Sequence, residues 1–463
     1  EVRLPAVFDS HMVLQRDMPA PVWGWAEPGD RITVHFKAQT QTAVTGEDGT
    51  WRVTFEPLEA DAKPAALTIR SSNAESVVRD LELVNVLVGE VWLCAGQSNM
   101  FLQVKQTLDS AKEIEAADYP QIRHIFGCPW NASEPQADYQ ANWQVCSPDT
   151  VGDFSGVPYY FARELHQTLD VPVGVIVIAY GPSLIQSYIS KESFQTIDFG
   201  RQSLAYWDKK VADAPPDERE KVHNSPLHPA AFFNGSIHPL AGMALRGFAW
   251  YQGESDSDHG IQQHYHEQMP LLIEDWRHHW GRNDMPFLMV QLPQIGSPRQ
   301  TSWAHLREGT LHALRTVPHT GMAVTIDTGD PRDVHPPNKQ EPGRRLALAA
   351  LGVAYGRDLV YSGPIYNAAE FLEDRVRITF DHVGGGLTVK GDALAGFEVA
   401  GADGRFVQAE ARIEGDAVIV HAPDDMKPEA VRYAWANNPP CTLYNKQGLP
   451  ASPFRAQRVQ TPE

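Results

Sequence analysis

Between Leu83 and Pro364, apolar runs alternate with amphipathic stretches, and this rhythm limits the folds open to the chain more than any other feature. The runs Val86–Ala95, Gln121–Phe126, Val173–Ala179, Gly247–Tyr251, Pro286–Gln291 and Met322–Ile326 are apolar along most of their length. Strands read this way when both faces of a parallel sheet are covered. The stretches between them, Pro158–Leu169, His264–Trp280, Ser302–Val317 and Gly343–Gly352, are helical in pattern; Tyr160, Phe161, Leu165 and Leu169 fall on one face of the first. Strand-helix alternation of this kind predicts an α/β fold with a doubly wound parallel sheet.

The flanks read differently. Residues 20–87 alternate apolar and polar positions and break at Pro28-Gly29-Asp30 and Glu47-Asp48-Gly49, the signature of short strands joined by hairpin turns. A β-sandwich module (jelly-roll or Ig-like) is expected there. Past Pro364 the runs Val376–Phe380, Gly396–Val399, Ala417–His421 and Val431–Trp435 mark a second β module over 365–463. The short segment 1–19 is expected to pack either on the α/β core or on the C-terminal module, and the catalytic domain is expected over 88–364. Residues 190–230 are polar and poor in strand signals, and are expected to form a long exposed insertion near the site.

Composition acts as a filter. A net charge of −19 with no long like-charge block argues against nucleic acid and anionic membranes as partners. No apolar run reaches the roughly 18 residues of a spanning helix. The cysteines Cys94, Cys128, Cys146 and Cys441 have no metal-ligand spacing, so no metal site is expected. Cys128 and Cys146 flank a short loop and could pair; Cys94 lies in an apolar run and reads as a small core residue. Trp and Tyr are numerous, 12 and 14, enough to fill cores and still line a cleft of the kind sugars stack in. The chain opens at Glu1 without Met or a signal pattern, as a processed chain does, and a secreted or periplasmic location and a monomeric state are expected.

Chemistry concentrates at strand ends. The strand in Gly89–Met100 stops in Gly96-Gln97-Ser98-Asn99, at the carboxyl edge where open α/β sheets bind ligands. A serine in a turn is ordinarily a cap, but here neighbouring backbone N–H groups can face an anion, and a helix from about Met100 is expected to add its dipole. Asp333-Val334-His335-Pro336 follows the last strand of the sheet and offers a base with a nearby acid, as hydroxyl activation requires. Gln252, at the end of Gly247–Tyr251, carries an amide suited to an oxyanion. Glu254 is either a rival acid or a helix-start carboxylate. Gly181 is either an oxyanion donor or a tight-turn glycine. Asn99, Tyr251 and His238 are candidate substrate contacts, His238 with a structural reading as an alternative.

Taken together, Gly89–Met100, Phe233–Leu240, Trp250–Asp256, Pro286–Pro293, Leu306–Glu308, Asp333–Lys339, Gly343–Ala347 and Leu449–Arg455, with the opening His11–Arg16 and Pro21–Trp25, resemble the sialate O-acetylesterase-like branch of the SGNH (GDSL) hydrolases, which includes esterases acting on plant hemicellulose. The resemblance spans nearly the whole chain. It implies a three-layer α/β/α catalytic domain, Ser98 as nucleophile, His335 as base, and an oxyanion hole from the Ser98 and Gly181 N–H groups and the Gln252 side chain. It implies no cofactor. Two departures stand out. Relatives commonly carry the acid three residues before the His, where this chain has Arg332; the choices here are Asp333 or, as in some carbohydrate esterases, Glu254. A Trp-Gly-Gly-Thr type turn is replaced by Tyr180-Gly181-Pro182-Ser183, in which Pro182 has no N–H to give.

The expected function is therefore a serine esterase removing O-acetyl groups from poly- or oligosaccharide through an acyl-enzyme. Xyloglucan or xylan suits the negative charge, and O-acetylated sialic acid is the alternative. A non-catalytic carbohydrate-binding protein would need no such residue set, and a lipase-like enzyme would want a broad apolar patch.

Overall fold

The computed structural model describes residues 2–72, 78–127, 131–423 and 426–458, and divides into two compact units. The first comprises Glu1–Gln252 with Pro270–Phe287; the second comprises Gly253–Met269 with Leu288–Glu463.

In the first unit the strands run β1 (Val13–Gln15), β2 (Ala20–Trp25), β3 (Arg31–Phe36), β4 (Gln39–Val44), β5 (Thr50–Phe55), β6 (Asp61–Ser72), β7 (Val78–Gly96), β8 (Ile122–Phe126), β9 (Trp143–Val145), β10 (Val173–Ala179) and β11 (Gly247–Tyr251). The parallel core has β7 between β10 and β11, with β8 beyond β10, as the apolar runs predict. Every residue of β10 and β11 is buried. The helix Gly156–Leu169 covers the sheet through Phe161, edge-on to Trp92 at 5.3 Å. The helix Tyr265–Trp280 brings Trp276 against Phe248 and Trp250.

The 19-residue β7 is longer than its apolar run. Its first part pairs antiparallel with β6, and β6 in turn with β3, in the N-terminal β-rich region. Its last part is the centre of the parallel sheet. The expected boundary between residues 87 and 88 therefore runs through one continuous strand. At the changeover Asn85 has φ 58°, a left-handed conformation that Asn tolerates better than most residues. The buried Arg123 secures it by donating to the Asn85 Oδ1 (3.1 Å) and carbonyl (3.3 Å) and to the His11 carbonyl (3.0 Å). The opening segment settles on this strand: β1 pairs in parallel with Leu87–Gly89.

Residues 190–230 hold no strand and are exposed over most of 201–222, and they are helical. They form the helices Lys191–Phe194, Asp198–Asp213 and Arg219–His223. The middle one buries only Gly200, Leu204 and Trp207, a stripe too narrow to stand out against its charged remainder. Ser190 and Ser193 tie the segment down, donating to the buried Asp275 carboxylate at 2.6–2.7 Å. The pairing of Cys128 with Cys146 lies outside the described residues; Cys146 is buried and its Sγ faces the Ala117 carbonyl at 3.6 Å.

The second unit contains the neighbouring strands β12 (Phe287–Gln291) and β13 (Thr320–Val324), the helices Ser302–Thr316 and Gln340–Val353, and a C-terminal set of antiparallel sheets. In that set β14 (Ile365–Phe371), β15 (Arg375–Asp381) and Ala417–His421 are paired side by side, and β15 alternates exposed and buried residues as a one-sided strand does. Val376, Ile378, Phe397, Val431 and Phe454 share one core with Met322, Val324 and Ile326 from β13 and its end. Arg307, fully buried, donates to the carbonyls of Leu292, Pro293, Ala436 and Asn437, and so ties the helix Ser302–Thr316 to two loops of the unit. The arrangement is the expected α/β fold with β-rich modules. Among the described residues no helix is long and apolar enough to cross a membrane, and no cluster of His, Cys, Asp or Glu is suited to hold a metal.

Candidate active site

Ser98 owes its position to Gly96. Gly96 has φ 146°, and a Cβ there would lie 2.0 Å from the Tyr251 carbonyl oxygen, so only glycine allows β7 to meet β11 this closely. Gln97 is extended and donates its N–H to that same carbonyl at 3.0 Å. Ser98, partly exposed, then opens the helix Ser98–Phe101. The helix starts earlier than expected and runs only four residues. It is too short for a macrodipole to build, so local N–H groups are what it can offer an anion.

The strand ends are laced together. The Gly96 carbonyl accepts from the Tyr180 N–H (3.1 Å) and the Tyr188 hydroxyl (2.7 Å), the second tying β7 to the stretch after β10. The Gln97 amide donates to the Gly181 carbonyl at 3.3 Å, and the Gln252 amide to the Ser183 carbonyl at 3.0 Å. Gly181 is partly exposed, has no positive φ, and has open space where a Cβ would sit. The structure thus gathers Ser98, Gly181 and Gln252 on one carboxyl edge of the first unit. Asn99 and Tyr251, both candidate substrate contacts, are each 0% exposed, Tyr251 at the end of β11 beside β7. His238 lies elsewhere: its Nδ1 is 2.9 Å from the Gln136 carbonyl, and it lines a separate cavity.

The second unit holds the ionisable groups. Glu254, 3% exposed, is the first residue of the short helix Glu254–Asp258, which matches its helix-start reading in position. The loop from Asp327 to Lys339 is pinned at both ends. Arg345, on the helix Gln340–Val353, makes a two-pronged ion pair with Asp327 (2.6 and 3.0 Å) and another with Glu341. A Cβ on Gly329 would strike the Gln294 carbonyl oxygen at 2.1 Å, and the Gly296 N–H donates to Pro331. Asp333 is exposed, and its Oδ1 accepts the backbone N–H of His335 at 2.8 Å, a local turn bond rather than a bond to the ring. Arg332, where an acid is usual in relatives, is almost fully exposed.

Lys339 ends the block Asp333–Lys339 that carries His335. It is 0% exposed, and burial brings its ammonium down to about 7 against the pull of Glu254 and Asp333. Burial and the Lys339 charge in turn lower the imidazole of His335 below its ordinary value, with Asp333 opposing. A lysine just before a helix, four residues after the candidate base, was the available signal; its burial was not readable.

Residues 88–351 match the family described as carbohydrate esterase, sialic acid-specific acetylesterase. The chain is similar to the sialate O-acetylesterases of Pongo abelii and Homo sapiens, each 28% identical over 500 residues covering 98% of this chain and 92% of theirs. A solved carbohydrate acetylesterase from Xanthomonas citri is 35% identical, with a TM-score of 0.88 over 99% of this chain and 100% of its own.

Proposed function

The chain belongs to the carbohydrate esterase, sialic acid-specific acetylesterase family and is a carbohydrate O-acetylesterase; from that premise we propose that Ser98 and His335 carry its reaction. Ser98 Oγ attacks the acetyl carbonyl while His335 takes the hydroxyl proton. The tetrahedral oxyanion is held by the Ser98 and Gly181 N–H groups and the Gln252 amide. Collapse expels the sugar oxygen, which receives the proton from His335, and leaves an acetyl ester on Ser98. Water, deprotonated by His335, attacks that ester; acetate leaves and the Ser98 hydroxyl is restored.

The observation that carries this reading is Ser98 at a glycine-forced strand end, with Gly181 and Gln252 tied to the same edge. A hole of fixed donors is worth most when it needs no rearrangement. For the orienting acid, burial favours Glu254: its charge would act in a low-dielectric setting, whereas Asp333 is exposed and bonded to backbone. The family and the named relatives favour O-acetylated sialic acid as the sugar. Xyloglucan or xylan is the second reading, supported by the −19 charge, which disfavours a carboxylated ligand. A secreted or periplasmic location, where such glycans are met, and a monomeric state belong to the proposal.

Acetate release from O-acetylated sialic acid, xyloglucan and xylan, by the wild type and Ser98→Ala, tests both parts. The variant should lose roughly 10³-fold or more on every substrate while melting normally. Activity kept within tenfold would remove Ser98 from the mechanism.

A further inference from the structure

A cavity of about 540 Å³ in the first unit has none of Ser98, Gly181 and Gln252 in its lining and belongs to no step above. Its wall includes Trp23, Trp25 and Trp51 from the paired strands β2 and β5, with Arg52, Gln136 and His238. We propose that this cavity is a second carbohydrate site, which grips a neutral pyranose chain while the acetyl group is removed at Ser98.

Three observations point to that ligand. Trp23 and Trp25 alternate on β2 and so present the same face of the strand, and both remain partly exposed. Indole rings at successive same-face positions suit the apolar faces of sugar rings in a chain. Next, the polar groups around them are flat hydrogen-bonding planes: the Gln136 amide, the His238 imidazole and the Arg52 guanidinium. Trp51 lines the same cavity, and its buried indole N–H has no acceptor among the described residues. Finally, the charge is wrong for an acidic sugar. The cation, Arg52, lies over the Trp23 ring at 5.1 Å and donates to the Gly242 carbonyl at 3.0 Å, so it is already engaged. No carboxylate is among the described lining residues. A cavity of this size is in the range that holds small ligands.

The cavity is joined to the Ser98 edge by one segment. At one end Phe232 packs on Tyr180 and Tyr188 (ring centroids 5.2 and 5.1 Å), beside Gly181. At the other, His238, Pro239 and Ala241 form cavity wall. The proposed ligand is a polymer long enough to occupy the cavity and the Ser98 edge at once. The site raises affinity for chains over short fragments, as two linked contacts do.

The test uses the Ser98→Ala protein, so that binding is read without turnover. Tryptophan fluorescence is titrated with deacetylated xyloglucan and xylan oligosaccharides, and with sialyllactose as the acidic comparator. Neutral oligosaccharides should bind saturably. Trp25→Ala should weaken them about tenfold, and sialyllactose should not compete. Because Trp25 also stacks with Arg3, Ala137→Trp, which fills the cavity from an exposed position, serves as a second variant with the same expected loss. Absent neutral binding, affinity unchanged in both variants, or preference for sialyllactose overturns the proposal. The readout does not depend on acyl transfer, so it stands or falls separately from Ser98 as nucleophile.

Discussion

The two parts of the proposed catalytic set are held by different forces. The Ser98 part is fixed by backbone. Gly96 meets the Tyr251 carbonyl, Tyr188 and Tyr180 cap the Gly96 carbonyl, and two glutamine amides clip the neighbouring turns. The His335 part is fixed by charge: Arg345 with Asp327 and Glu341 holds the loop, Asp333 and Lys339 act on the imidazole, and Glu254 acts on Lys339. The first arrangement supplies geometry that does not change with pH. The second supplies proton affinity, which mutation and pH can tune.

Mutations should separate these contributions. His335→Ala removes the base and should lower kcat by roughly 10³–10⁴ on p-nitrophenyl acetate with an unchanged melt; a loss under tenfold would take His335 out of the mechanism. Glu90→Ala should do the reverse. Glu90 is fully buried and bonded to Arg16 (2.6 Å), Arg246 (2.7 and 3.1 Å) and Gln15 (3.1 Å) where β7 enters the sheet. Removing it takes their shared buried partner from two arginines, and should cost about 3 kcal/mol in denaturant unfolding while the folded fraction keeps its kcat. A melt shifted by less than a degree would show that the backbone framework does not need this ion cluster.

Glu254→Gln and Asp333→Asn divide the charge-held part further. The first should lower kcat about 10²-fold and the second only a few-fold; the opposite order would make Asp333 the orienting acid. The smallest effect is in pH. In the proposed mechanism His335 acts as base when neutral, so its lowered value should put the acid limb of kcat/KM below pH 6.5. Lys339→Met removes a cation that favours the neutral imidazole and leaves Asp333 to favour the charged one. The limb should therefore move to higher pH, measurably but by less than the change from His335→Ala. A limb that stays in place would separate Lys339 from His335 electrostatically.

The same contrast explains what could be read from the sequence. The parallel core was legible because β10 and β11 are apolar from end to end, and their limits agree with the apolar runs Val173–Ala179 and Gly247–Tyr251. The full reach of β7 was not, because its first part faces solvent on one side and carries Arg79, Asp80, Glu82 and Asn85, which read as hairpin rather than core. The helix Asp198–Asp213 was missed for a related reason: Leu204 and Trp207 alone carry its large buried side chains. At the site, a glycine turn after an apolar strand points to Ser98 with little help. Nothing local distinguishes the buried Glu254 from the exposed Asp333, because burial is decided by residues distant in the chain. Lys339 was hidden for the same reason, as was the full burial of Tyr251, because a strand end does not reveal what covers it.

The central claim is that the acetyl group passes through Ser98. Acid-quenching the enzyme during turnover of p-nitrophenyl acetate, then mapping its peptides by mass spectrometry, tests this directly. The account predicts an acetyl adduct on Ser98 that forms within one turnover and disappears when substrate is exhausted. An adduct confined to another residue, or none during a steady state in which deacylation is slow, would contradict it.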